Sequence, residues 1–180
     1  MRVRILSGLA ALIVLSAVPL NAADLTFFVG GVNPGSVSYH NIETALDGSP
    51  VYGFRFRTSF VPLFGMEHTL AFSSDYLFPP NTAIKEAKGF VYNSNLIIDF
   101  PIGIAVPYVT AGAGLIHQYG DEDMPVGTKF AFNYGGGLKF PRVVGPLGLR
   151  VDLRGYSAAP FSDRLNIFEI SGGVLISLGK

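Results

Sequence analysis

Apolar and polar residues alternate at every second position through six stretches of this chain, and that alternation restricts the fold more than anything else in it. The clearest stretch sets Phe130, Phe132, Tyr134, Leu138 and Phe140 against Lys129, Asn133 and Lys139. The next sets Leu147, Leu149, Val151 and Leu153 against Arg150, Asp152 and Arg154. Successive side chains of a strand point to opposite faces, so a period of two describes a strand whose faces differ chemically. One face here is rich in aromatics and the other carries full charges of both signs. Periodicity is silent on which face points outward, so other features must decide between a polar and an apolar exterior.

Extending the pattern gives eight strands, over residues 24–32, 50–59, 67–78, 88–100, 105–117, 128–140, 146–157 and 165–178. Most are long enough to cross a bilayer at a tilt. The connections alternate in length. Segments 33–49, 79–87, 118–127 and 158–164 are long and polar, whereas 60–66, 101–104 and 141–145 are short and contain Pro or Gly. Long loops on one side and short turns on the other is the asymmetry of outer-membrane barrels. An even strand number puts both ends of the domain on the short-turn, periplasmic side.

The start of the chain agrees. Arg2 and Arg4 precede an apolar run from Ile5 to Val18, with small residues at Asn21-Ala22-Ala23, so residues 1–22 read as a secretory signal and 23–180 as one barrel domain. The apolar run is short for a membrane-spanning helix, and Pro19 interrupts it. Of 13 basic residues, the two arginines leave with the leader. The remaining 11 face 13 acidic residues, a balance that offers no reason to expect nucleic acid. The chain has no cysteine, which excludes a disulfide framework. The expected fold is therefore all-β: an eight-stranded antiparallel up-and-down transmembrane barrel, apolar outside and polar inside.

On that reading the outward set includes Tyr52, Phe54, Phe56, Leu70, Phe72, Tyr76, Phe78, Phe90, Tyr92, Leu96, Ile98, Phe100, Val109, Leu115, Phe168, Ile170, Val174 and Ile176. Phe60, Phe78, Phe100, Phe140, Tyr108 and Tyr156 lie near strand ends, where aromatic girdles form at membrane interfaces. A soluble β-sandwich would show small polar residues on its second face. This face instead carries Arg55, Arg57, Asp75, Asp99, Lys129, Lys139, Arg150, Asp152, Arg154 and Glu169. The main architectural rival is a lipocalin-like soluble barrel, with the same periodicity and the faces reversed.

Those charges form the candidate site. An eight-stranded barrel is only wide enough for side chains to fill it. Arg55, Arg57, Arg150 and Arg154 are expected to pair across the lumen with Asp75, Asp99, Asp152 and Glu169, because unpaired buried charge is costly. Such a network holds the barrel shut; the alternative is a narrow passive ion path lined by the same residues. Gly112, Gly114, Gly135, Gly136 and Gly137 relieve crowding in the curved wall. Catalytic signals are weak. His117 ends the fifth strand beside Asp121-Glu122-Asp123, His68 starts the third beside Glu67, and His40 lies in the first long loop, but no nucleophile-elbow sequence is present. The Asp121–Asp123 cluster lacks the ligand spacing of a calcium loop. No cofactor, metal or enzymatic activity is expected.

The segments VPYVTAGAGLIHQYG (106–120), FAFNYGGGLKF (130–140), LGLRVDLRGYS (147–157) and FEISGGVLISLG (168–179) resemble the small outer-membrane β-barrel family of the OmpA membrane domain and OmpX type. The resemblance spans the whole expected barrel. It implies the same fold and an outer-membrane location, with membrane lipid and the barrel-assembly machinery as partners. It implies little about function, since such barrels serve as structural proteins, adhesins, narrow pores or lipid-modifying enzymes. Two features depart from the family. The last strand ends Ile176-Ser177-Leu178-Gly179-Lys180, without the usual terminal aromatic residue. The lipid A deacylase relatives would carry a His-x-Ser-Asn stretch where this chain reads APFSDRLNIFEIS (159–171). No peptidoglycan-binding domain follows the barrel, so wall anchoring is not expected. The expected function is a structural or surface-interaction barrel, with segment 33–49 the largest candidate contact surface for an extracellular ligand.

Overall fold

The computed structural model describes residues 22–34, 37–39, 42–44, 48–74, 87–120, 127–158 and 165–178. Ten strands are present: β1 (Ala22–Pro34), β2 (Val37–Tyr39), β3 (Ile42–Thr44), β4 (Ser49–Val61), β5 (Phe64–Ser73), β6 (Ala87–Asp99), β7 (Val106–Gly120), β8 (Thr128–Val144), β9 (Leu147–Ala158) and β10 (Leu165–Ser177). Eight of them close into a barrel in the order β1-β10-β9-β8-β7-β6-β5-β4, and every neighbouring pair is antiparallel. Closure between β1 and β10 leaves no edge strand, so no row of backbone N–H and C=O groups stands unpaired along a sheet edge. The expected eight-stranded antiparallel barrel is the observed fold.

The strands run further than the pattern indicates at the short-turn end. Phe60, Val61 and Phe64–Met66 belong to β4 and β5, so the turn contracts to Pro62 and Leu63. Residues 141–144, read as a turn, continue β8 through a register shift between Phe140 and Val144. Pro141 has no N–H to give a ladder, and a bulge is where a strand tolerates that. The third strand ends at Ser73, short of the expected 78; residues 75–78, with Asp75 and the outward-assigned Tyr76 and Phe78, lie outside the described residues. So do residues 1–21, over which a leader is expected apart from its last residue, and His40 and the acidic run 121–123. Within segment 33–49 the small hairpin β2–β3 pairs Val37 with Thr44 and Tyr39 with Ile42. It was not foreseen, because three residues are too few for a period of two to register.

The wall sorts its side chains as the alternation requires. Tyr52, Phe72, Leu96, Val109, Leu115, Phe130, Phe132, Leu149, Leu153 and Phe168 face outward and are exposed, while Arg55, Arg150, Asp152, Arg154 and Glu169 face inward and are buried. The reversed-face soluble barrel is therefore not the arrangement adopted. The interior is not uniformly polar, however. Its long-loop half is closed by Val32, Val51, Ala71, Val91, Ile116, Ala131, Ala158 and Ile167, one from each strand of the barrel. The charges fill the half nearer the short turns.

Candidate functional site

Strand β9 supplies the axis of the charged layer. Arg150, Asp152 and Arg154 alternate in sign two residues apart, so all three point into the lumen. Glu67 reaches in from the opposite wall on β5. Its carboxylate accepts from Arg150 Nη1 at 2.5 Å and from Arg154 Nη2 at 2.5 Å. Asp152 accepts from Arg55 Nη1 at 3.0 Å, Arg150 Nη2 at 2.9 Å and Arg154 Nη2 at 3.1 Å. Arg55 Nη2 also donates to Glu169 at 2.5 Å. Three guanidinium groups thus meet three carboxylates, all nearly excluded from solvent, and the cluster is neutral.

Two tyrosines complete it. Tyr156 donates its hydroxyl to Glu169 at 2.5 Å, and Ser171 donates to the same carboxylate at 2.7 Å. Tyr108 donates to Asp152 and accepts from Arg150 Nε at 3.1 Å. These bonds take up lone pairs that bare ion pairing would leave empty, which is the condition for a buried ion network to be tolerated. Tyr108 and Tyr156 therefore stand inside the lumen, not in the interfacial girdles where their strand-end positions suggested. The phase of the alternation places them there: Tyr156 follows Arg154 by two residues, and Tyr108 precedes Thr110 by two.

A second neutral cluster lies nearer the short turns. Arg57 pairs with Asp24 at 3.3 Å and with Asp99 at 2.6 Å, and Lys139 pairs with Asp99 at 2.7 Å. The Tyr108 ring links the two layers, with the Arg150 guanidinium carbon 4.6 Å and Lys139 Nζ 5.1 Å from its centroid. On the β6–β8 wall two amide side chains pair. Asn95 and Asn133 bond each other in both directions, and Asn95 also donates to Thr110 at 3.1 Å.

Of the eight residues singled out from sequence, Arg55, Asp152, Arg150, Arg154 and Glu169 meet in the upper cluster. Arg57 and Asp99 meet in the lower one, and Asp75 lies outside the described residues. Glu67, Asp24 and Lys139 complete the pairings and were not foreseen as partners. Glu67 was legible: it is in phase with Thr69 and out of phase with Leu70 and Phe72. Of the five glycines expected to relieve crowding, Gly112, Gly114, Gly135 and Gly137 make room for lumen side chains, whereas a Cβ on Gly136 would meet only the Tyr108–Val109 backbone. A Cβ on Gly137 would stand 2.4 Å from the Tyr108 hydroxyl and 2.1 Å from the Val151 carbonyl oxygen.

His68 and His117 stand on the outer wall. His68 contacts the Tyr92 hydroxyl at 3.1 Å, and His117 contacts the Thr128 hydroxyl at 2.7 Å. Among the described residues no group of three or more His, Cys, Asp or Glu is placed to hold a metal ion. Replacing Tyr108 with Phe keeps the ring between Arg150 and Lys139 but removes the hydroxyl from Asp152 and Arg150. The expected loss is about 1–3 kcal/mol of unfolding free energy, read by urea titration of the folded barrel in lipid.

No protein-family model and no curated sequence matches the chain. Solved structures share its fold. Neisserial surface protein A is similar over 86% of this chain and 96% of its own, with a TM-score of 0.65 and 14% identity. The outer membrane protein OprG from Pseudomonas aeruginosa is similar over 89% of this chain and 97% of its own, with a TM-score of 0.62 and 11% identity. The outer membrane enzyme PagL shares the architecture over 85% of this chain and 98% of its own, with a TM-score of 0.51 and 15% identity. The fold is that of small outer-membrane barrels. Because one neighbour is an enzyme and another a surface protein, the likeness carries the architecture and no activity.

Proposed function

We propose that this chain is an integral outer-membrane barrel with a closed lumen, serving a structural or surface-contact role and catalysing no reaction. The observation that carries this reading is the filled interior: two neutral ion clusters stacked beneath a ring of apolar side chains, behind a wall that turns Phe, Leu, Ile and Val outward. A water-soluble monomer rarely exposes an apolar surface of that extent, whereas lipid requires it. An ion entering the lumen would have to break charge-paired hydrogen bonds and then cross the apolar ring. Membrane lipid and the barrel-assembly machinery are its partners under this reading, and segment 33–49 is the surface offered to an extracellular ligand.

The test is gel mobility of the chain folded into detergent or lipid, with and without heating, followed by planar-bilayer conductance of the folded band. A heat-dependent mobility shift without steady conductance is the expected result. A shift with steady conductance makes the lumen residues a permeation path and replaces the closed-barrel reading with a narrow pore. Folding in plain buffer, with no detergent requirement, overturns the membrane reading itself.

A further inference from the structure

The three short turns are apolar to their tips. Across residues 62–63, 100–105 and 141–146 every side chain but that of Arg142 is apolar or absent. A turn standing in water takes Asn, Asp and Ser beside its Gly and Pro, because those side chains bond the local backbone. Here their places are held by Leu63, Ile102, Ile104, Val143 and Val144. These side chains are not folded inward: Ile104 is 85% exposed, Val144 70% and Ile102 68%.

This surface is continuous with the lipid-facing wall. Val143 and Val144 border one hollow together with Leu147 and Leu149 of β9 and Val174 of β10. Exposed Phe60, Phe64 and Phe100 carry the apolar belt into the other two turns.

The backbone of the turns is closed as well. Pro62, Pro101, Pro141 and Pro146 have no N–H to satisfy. Ile102 and Ala105 bond each other in both directions, at 2.8 and 3.1 Å, and Phe100 N–H donates to the Pro107 carbonyl at 2.8 Å. Asp99 N–H donates to the Leu63 carbonyl at 2.8 Å, which ties the β4–β5 turn to the end of β6, and Ser177 N–H donates to the Pro146 carbonyl at 2.9 Å. A turn in water can leave its peptide groups to the solvent, whereas hydrocarbon cannot satisfy them.

We propose that the three short turns lie in the membrane, at the boundary between acyl chains and headgroups of the leaflet on their side, with lipid as their partner, instead of projecting into the periplasm. The inference rests on the membrane reading above. Apolar tips continuous with the lipid-facing belt, and turn peptides bonded within the protein, both suit that depth. A single arginine is compatible with it, since a long apolar stem lets the charge reach the headgroups.

The chain has no tryptophan, so one introduced at a turn reports its own surroundings. Ile104→Trp and Val144→Trp are each folded into phosphatidylcholine vesicles, and the heat-dependent mobility shift is confirmed first. Both are expected to lose several-fold less emission to acrylamide in the water than free tryptophan amide does. Both should be quenched by bromine on the lipid acyl chains, as Phe168→Trp on the wall is. Ile104→Asp is expected to lower the folded-to-unfolded ratio in urea about tenfold, with little change in Ile104→Leu. Acrylamide quenching at the level of the free amide would place the turns in water. Shielding from acrylamide and bromine alike would place a protein surface over them. Either result, or unchanged stability in Ile104→Asp, overturns the proposal. An unmutated chain without the mobility shift sinks the membrane reading; a shifted chain whose turn tryptophans meet acrylamide sinks only the placement of the turns.

Discussion

Replacing Glu67 with alanine is expected to destabilise the barrel by about 3–5 kcal/mol, the cost of removing one partner from a buried ion pair. Glu67 is fully buried and is the one carboxylate bonded at 2.5 Å to both Arg150 and Arg154. Without it those guanidinium groups retain Asp152, which already serves Arg55, so one positive charge stays in the lumen uncompensated. The measurement is urea unfolding of the folded chain in lipid vesicles. Glu67→Gln, which preserves volume and removes charge, should fall close to the alanine variant. If it unfolds like the unmutated chain, charge pairing is not what holds the layer. The double variant Glu67→Ala/Arg150→Met should recover part of the loss, because the stranded cation leaves with its partner. An additive result would show that Glu67 and Arg150 do not act as a pair.

Gly137→Ala is expected to be a severely damaging methyl addition in the wall. The added carbon would stand 2.1 Å from the Val151 carbonyl oxygen and 2.7 Å from Tyr108 Cζ, closer than packed atoms approach. Tyr108 is hemmed in by Arg150 and Lys139 and bonded to Asp152, so its ring cannot withdraw without disturbing both ion clusters. Overpacking of this kind costs about 1–3 kcal/mol where neighbours can yield, and more where they cannot. The check is the fraction of chain reaching the heat-sensitive folded band. Gly172→Ala is the control, since its methyl would meet only the Arg150 carbonyl oxygen, at an ordinary 3.9 Å. If the two alanine variants fold equally well, the close approach of Tyr108 to β8 is not a constraint on folding.

The contrast between those two glycines marks where reading a sequence ends. Both lie in strands with alternating neighbours, and nothing local separates a glycine that a facing ring demands from one that leaves a hollow. The same holds for partners. Phase along β9 places Arg150, Asp152 and Arg154 on one face, but their pairing with Glu67 and Arg55 depends on how far each strand is sheared against the next. Tyr108 and Tyr156 were misplaced by weighing nearness to a strand end above phase, although phase alone assigns them correctly.

What the chain determines unaided is the alternation itself: which side chains share a face, that the faces differ chemically, and that eight strands joined by alternating long and short connections close antiparallel. These follow from a two-residue repeat that every extended backbone obeys. Only the closed barrel decided that the inward-facing ions sort into two neutral layers and that apolar residues close the long-loop half. Those outcomes arise from contacts between residues far apart in the chain, such as Arg55 with Glu169, 114 positions apart, which exist only once closure brings β4 and β10 within the reach of a side chain.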